Sequence, residues 1–455
     1  MKTNVFRPAA VVTATIWSLA LGACRGAPPP PPTPPPPLSV SASAALQWVS
    51  SHAGGISLAD SMNLTSDRQA LAPIVNGARV LGLSEMTEGT AEFPDIVRRT
   101  LFALADSGFR GVAIQGPMPE ALELDRWVRT SRGDPRRIMR NLGSWRWDTR
   151  EMWAFMLAMR AWNEAHKDQQ LGFYAFEIPT AARAVQVVTS LPDSVAGVAL
   201  NQWLKRTYGC VALNESAHWG LEGRAADSSF WNACGPATAA AADSVAALRS
   251  RYPASSPVMP DIVFAESMAR LIRHHVSVGL RHLSRHDGNA EHVLYLLDEL
   301  GAGGKLLVWG GDVEMGRITL DNRTVQTGVP LGQKLGDKYR AVAFAIGGGT
   351  IRARVPAANG RGGGGEPGYG NTRVAIPGAD SYEDVWARAS SANYWLDLRG
   401  LPSDSAGVWL RGPRQMRLIT DIYTPLAPNA FETSVEFPQN YDAIVFARTV
   451  SPAHP

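Results

Sequence analysis

Four carboxylates stand where short apolar runs end. Glu85 and Glu88 are three residues apart after Ala78–Leu83, and Asp312 and Glu314 are two apart after Lys305–Trp309. If the two runs lie side by side, the four share one cleft. A carboxylate pair can divide acid–base work when its surroundings push the two pKa values apart. Oxygen ligands can also hold a divalent cation, so Glu85, Glu88, Asp312 and Glu314 are a candidate Ca²⁺ or Mg²⁺ site. Uncompensated, they would repel and raise one another's pKa. The plainer alternative is four solvated side chains. Histidine is the usual acid–base group at neutral pH. His286 and His292 are six apart and face different ways on one helix. His286 is a candidate ligand-binding residue; for each of these, and for His274 and His275, the plainer reading is a surface or hydrogen-bonded side chain.

The elements that must position these groups alternate in type, which predicts an α/β fold: a central, mainly parallel sheet with flanking helices. Ala78–Leu83 reads as a short buried strand, Asp95–Asp106 as a helix ended by Gly108, and Gly111–Gln115 as the next strand. That β-α-β order predicts two parallel neighbours, and sites in such sheets form at the C-terminal strand ends. Met152–Ala165 reads as a helix whose Met and Trp stripe belongs to the core. Leu171–Glu177, Lys305–Trp309, Tyr339–Ile346, Asn393–Arg399 and Tyr441–Phe446 read as strands, and Ala290–Leu300 as a helix. Residues 181–290 form a large helical insertion. Gly360–Gly370 lacks the lysine and Ser/Thr of a phosphate loop and reads as a flexible surface loop.

The ends speak to location. Lys2 and Arg7 precede an apolar run from Pro8 to Leu21, too short to span a bilayer comfortably, and Leu21-Gly22-Ala23-Cys24 follows. Residues 1–23 have the layout of a secretory signal. The ending resembles a lipoprotein cleavage box, which would leave Cys24 lipidated and the protein anchored at the bacterial cell envelope; an ordinary cleaved signal is the alternative. Residues 24–45, with Pro28–Pro32 and Pro34–Pro37, read as a stiff polyproline spacer, and residues 46–455 as the folded domain. The 455-residue chain has formal charge +3, 45% hydrophobic and 19% charged residues, ordinary for a globular protein and without support for nucleic-acid binding. Arg126–Arg150 is basic, with Trp127, Trp145 and Trp147 interleaved, and reads as a solvated helical face. Cys210 and Cys234, an even pair in an exported chain, read as a disulfide worth about 3 kcal/mol by chain entropy; two buried thiols are the alternative.

The stretch Val80–Phe93, V-L-G-L-S-E-M-T-E-G-T-A-E-F, resembles the opening motif of the erythromycin esterase family, L-G-E-x-T-H-G-T-x-E-F. Its frame stands in Glu85, Thr87, Gly89, Thr90, Glu92 and Phe93. Further resemblances run in order to about residue 448: Gly108–Ala113, Asn163, Phe173-Tyr174, Arg285, Val308-Trp309, Leu335–Asp337, Phe344–Gly347, Asp397–Arg399 and Tyr441–Ala443. The resemblance implies an ester-hydrolysing fold that needs no cofactor, with histidine acid–base catalysis supported by carboxylates and an arginine. Position by position, most of that set is changed. Glu88 stands where the family has its first histidine, Gln115 where it has a glutamate, and Val97 where it has a basic residue, with Arg98 and Arg99 adjacent. The W-A-H-N-A-H element is Trp309-Gly310-Gly311-Asp312-Val313-Glu314, without either histidine; Glu85 and Arg285 remain.

The expected protein is therefore a membrane-anchored lipoprotein with an erythromycin-esterase-like domain that has lost ester hydrolysis and binds a small molecule or cation in the old cleft, its charge offset by Arg285. The competing readings are a hydrolase that uses Glu85, Glu88 and Glu314, and an envelope protein without a ligand.

Overall fold

An eight-stranded sheet organises the chain, in the order β1(Gly54–Ile56), β9(Asn393–Asp397), β12(Ala443–Ala447), β6(Tyr339–Ile346), β2(Val80–Glu85), β5(Lys305–Gly311), β3(Phe109–Pro117), β4(Gly172–Glu177). From β12 to β4 every pairing is parallel; β9 runs antiparallel to β12, and β1 to β9. Two hairpin-like pairs complete the strands, β7(Gly349–Arg354) with β8(Tyr369–Val374) and β10(Arg414–Arg417) with β11(Glu432–Val435). The computed structural model describes residues 36–56, 58, 63–212, 228–281, 283–318, 326–354, 368–390 and 392–455.

The central strands read as continuous apolar runs because both sheet faces are covered, so neither face has reason to alternate. Every residue of β2 is buried, and in β5 all but Lys305 are. The helical insertion is present as the helices Ala182–Thr189, Asp193–Ala196, Val198–Ala212, Ser228–Ala246 and Met259–Gly279. Cys210 and Cys234 are disulfide-bonded, with Cα atoms 5.9 Å apart.

One topological expectation is corrected. β2 and β3 are parallel but not neighbours: β5, distant in sequence, lies between them and pairs with both. A crossover helix does not require its strands to be adjacent, and the helix Glu92–Leu104 bridges the gap. The insertion of β5 serves the site, since it places the residues after Gly311 between the ends of β2 and β3. A second correction concerns the linker. The compact unit is Leu38–Pro455, and residues 40–45, expected as spacer, begin the helix Val40–His52, which buries Ala42, Ala45 and Val49. The expected signal, Cys24 and most of the proline run lie outside the described residues, as do residues 360–367 of the glycine-rich stretch, whose Tyr369 and Gly370 enter β8. Among the described residues no helix is long and apolar enough to cross a membrane.

Candidate functional site

The C-terminal ends of β2, β5 and β3 bring the motif residues together. Glu85 ends β2 and is 5% exposed; Glu88, three residues on, is 6% exposed. The turn between them is fixed at both sides: Glu88 N–H donates to the Ile419 carbonyl at 2.9 Å, and Ile419 N–H returns to the Met86 carbonyl at 2.8 Å. Gly89 has φ +79°, and a Cβ there would meet the Arg352 carbonyl oxygen at 1.9 Å, so both the left-handed conformation and the approach of β7 demand glycine. Its own carbonyl accepts the amides of Arg352 and Ala453.

Arg146 is the centre of this site. Its guanidinium lies 3.3 Å from Glu88 Oε1 and 3.9 Å from Glu85 Oε2, and its side chain is 12% exposed. It stacks over Trp147, 4.7 Å from the ring centroid. Trp147 meets Trp309 edge to face and donates to the Gln115 carbonyl at 3.0 Å. Trp309 donates its indole N–H to Glu85 Oε1 at 2.6 Å. Two tryptophans thus form the wall against which one arginine joins two glutamates.

Gly311 explains how that cation fits. A Cβ at 311 would fall 1.9 Å from Glu88 Oε1 and 2.4 Å from Arg146 Nη1. The carboxylate and the guanidinium occupy the space that any side chain at 311 would need. The Gly311 amide donates to Gln115 Oε1 at 3.0 Å, so the β3 residue at the site holds the β5 end in place.

The remaining groups separate. Asp312 adopts φ +53° and its backbone N–H is bonded to Glu88, while its Oδ1 is buried without a hydrogen-bond partner. Glu314 turns away: it accepts the Thr327 hydroxyl and lies 3.3 Å from His286 Nδ1. Arg285, expected to offset the cluster, donates to Glu177 at the end of β4 and acts through charge on Glu314 among the four. Gln115 and Asn289 also contact Glu177, each at 3.5 Å. The expected convergence of four carboxylates on Arg285 is therefore corrected. Glu85 and Glu88 share Arg146, Glu314 sits with Thr327 and His286, and Asp312 lies between the two groups. Among the described residues no group of three or more His, Cys, Asp or Glu is arranged to hold a metal, so the candidate divalent site is not formed.

Burial dominates the electrostatics. It pushes the Glu85 carboxyl up from 4.5 to about 7, against the pull of Arg146 and the Trp309 hydrogen bond and with added repulsion from Glu88. Glu88 is pushed up for the same first reason and pulled down by Arg146. Asp312 rises to about 6 through burial and then through Glu88. A carboxyl near 7 can exchange a proton at neutral pH. The space beside these groups is small: the cavity bordered by Glu85, Trp145, Arg146, Trp147 and Trp309 holds about 20 Å³, room for about one water.

Other expected residues have structural roles. His286 and His292 do face different ways: His292 is fully buried, with Nδ1 3.0 Å from the Phe176 carbonyl. Val97 is buried in the core, Arg98 pairs with Asp95, and Arg99 pairs with Asp67 away from the cluster. Asn163 is buried and bonds both the amide and the carbonyl of Leu171. Sequence reasoning does not reach Arg146, because composition makes Arg126–Arg150 a solvated helical face, whereas the Arg146 side chain is only 12% exposed. Arg146 lies in a turn between the helices Pro135–Asn141 and Arg150–Ala165. The available signal was local: one arginine flanked by Trp145 and Trp147, outside any helical pattern.

The parallel-centred α/β sheet, with acidic groups at the ends of β2 and β5, defines the class of fold, and the family match makes that fold hydrolase-like. The chain belongs to the erythromycin esterase family, whose profile matches residues 104–450. It resembles a crystal structure of a Bacillus cereus protein at TM-score 0.67 and 17% identity, covering 92% of this chain and 99% of that one. A structure described as a succinoglycan biosynthesis protein matches at TM-score 0.67 and 16% identity, over 92% and 100% of the two chains. A histidine-to-asparagine mutant of an erythromycin esterase, in its open conformation, matches at TM-score 0.53 and 14% identity, over 87% and 96%. At these identities the structural likenesses speak to fold alone.

Proposed function

We propose that this chain is a membrane-anchored member of the family that has exchanged ester hydrolysis for a closed, internally neutralised site. The observation that carries the reading is Arg146 inserted between Glu85 and Glu88 in the space left by Gly311. In the resemblance drawn from the sequence, positions 88, 311 and 314 are histidine positions; here they are Glu, Gly and Glu. A permanently charged guanidinium can neither accept a proton nor release one at neutral pH, and it occupies the space of a base. The chain itself supplies the cation for these carboxylates, as Arg146. Anchoring rests on the Leu21–Cys24 ending and the proline run after it.

The experiment is incubation of the purified protein with aryl esters and macrolides, paired with expression in an erythromycin-sensitive bacterium. The expected result is no turnover and no rise in resistance; turnover abolished by Glu88→Gln would overturn the reading. For the anchor, Cys24→Ser is expected to abolish lipid labelling and release the protein from the membrane fraction; a membrane-bound variant and an unlabelled wild type would refute it.

One observation favours a second reading. The Glu85 carboxyl, held near 7, has the acidity a general acid–base needs, so a hydrolase built on Glu85 and Glu88 is the alternative. It predicts a pH–rate profile with an inflection near neutrality that vanishes in Glu85→Gln; the closed-site reading predicts no rate to profile.

A further inference from the structure

Two cavities away from these residues share a wall. The first, about 350 Å³, is bordered by Arg126, Arg132, Arg137, Arg183 and Glu123. The second, about 590 Å³, is bordered by Leu122, Pro257, Met259, Pro260 and Val263. Arg126 and Phe264 border both. None of the groups around Arg146 lines either cavity.

The first chamber carries excess positive charge. Arg126 and Arg132 both pair with Asp261, and Arg183 pairs with Glu123. Among the described residues no carboxylate pairs with Arg137, whose side chain is exposed. Four guanidinium groups therefore face three carboxylates, Asp261, Glu123 and Glu120, the last acting on Arg183 through charge alone. Arg126 is fixed at the joint: its guanidinium lies 4.6 Å above the Phe264 ring, and its Nε is buried without a hydrogen-bond partner. Planar guanidinium groups recognise carboxylate and phosphate through paired hydrogen bonds. The second chamber is of a size ordinary for a small-molecule site; its walls are mostly apolar apart from the Asp125–Arg129 ion pair and a hydroxyl rim of Thr130, Ser255, Ser256 and Ser267, and Val263 in that wall is 38% exposed.

We propose that the two chambers form one binding site for an anionic single-chain amphiphile, with a fatty-acyl carboxylate held by Arg126 and Arg137 and its alkyl chain in the chamber walled by Pro257, Met259, Val263 and Phe264. The charge on one side of the shared wall and the apolar lining on the other match the two ends of such a molecule. The site stands whether or not the Glu85–Glu88 region turns over a substrate.

The test is calorimetric titration of the full chain with decanoate below its micelle concentration, with acetate and decanol as controls. Decanoate is expected to bind at least tenfold more tightly than either, and octanoate to decanoate to dodecanoate to gain about fourfold per methylene until the chamber is full. Arg137→Ala is expected to weaken decanoate about tenfold and leave decanol unchanged; Val263→Asp is expected to weaken both. Each changes an exposed or part-exposed side chain, and thermal melting checks that the fold persists. Decanoate binding no tighter than acetate, equal binding of decanol, or an affinity indifferent to both substitutions would overturn the proposal; the ligand comparison decides this even without the variants.

Discussion

Two glutamate–arginine groups lie at the C-terminal edge of the same sheet. At the ends of β2 and β5, Arg146 serves Glu85 and Glu88, with side chains 12%, 6% and 7% exposed. At the end of β4, Arg285 serves Glu177, with side chains 54% and 18% exposed. The chemistry is the same and the energetic meaning differs. An exposed pair gains little, because water already solvates both ions. In a buried group each ion depends on its partner, so removing one strands the others. Sequence reasoning favoured the wrong arginine: Arg285 stands in a family motif, but burial makes Arg146 decisive.

The sharpest way to break the contrast is Arg146→Met. Methionine keeps an apolar contact with Trp147 but leaves Glu85 and Glu88 facing each other without a cation. The expected cost is about 3–5 kcal/mol of unfolding free energy at neutral pH, measured by urea denaturation. Glu88→Gln added to Arg146→Met should recover part of that loss, since the stranded charge is then gone. A single substitution costing under about 1 kcal/mol would mean the buried group is solvated after all.

Acidity separates the regions next. The folded pKa of Glu85 is raised, from 4.5 to about 7. Between these values the folded chain holds a proton that the unfolded chain has released, so stability falls as pH rises through that window. At about 1.4 kcal/mol per pKa unit, the loss from pH 4.5 to above 7 is about 3 kcal/mol. Glu85→Gln, whose amide oxygen can still accept from Trp309, should flatten that part of the profile and stabilise the protein at pH 8. Parallel profiles for wild type and variant would remove burial as the source of the shift.

A smaller effect is expected at Gly311. In Gly311→Ala the new methyl must displace the ends of Glu88 and Arg146. These are flexible groups, but here they are packed and paired, so the expected cost is about 1–3 kcal/mol. In a Glu88→Ala background the methyl gains room, and the cost should shrink. An additive double-mutant cycle would show that Gly311 and Glu88 do not compete for space.

Much of the architecture was legible because buried parallel strands print a simple pattern. Tyr339–Ile346 is a strand with the predicted bounds, and the Cys210–Cys234 bond follows from an even cysteine pair. The insertion of β5 between β2 and β3 was not legible, since strand order depends on contacts some two hundred residues apart. In the site, the strand-end positions of Glu85, Gln115 and Asp312 could be read, because the motif tracks the strands. The split between them could not. Glu314 turns to Thr327 and His286, and Arg146 reaches in from a turn; both depend on side-chain direction, which spacing does not encode. Gly311 held the missing clue: a glycine in place of a side chain vacates volume in a close-packed interior, and something must fill it.

The smallest expected effect sharpens the comparison from the other side. Arg285→Ala removes the cation from Glu177, yet Gln115 Nε2 and Asn289 Nδ2 remain within 3.5 Å of the same carboxylate oxygen. The arginine is 54% exposed, so water replaces most of what is lost. The expected cost is under about 1 kcal/mol. It should also depend on salt: at 1 M ionic strength the screening length is about 3 Å, and the difference between Arg285→Ala and wild type should nearly vanish. The loss in Arg146→Met should persist in the same salt, because the Arg146 side chain and those of Glu85 and Glu88 are buried and salt screens buried pairs much less. Denaturation of both variants at low and high salt measures this directly. If the two losses respond equally to salt, the regions do not differ in burial, and the closed-site account of Glu85, Glu88 and Arg146 fails with that distinction.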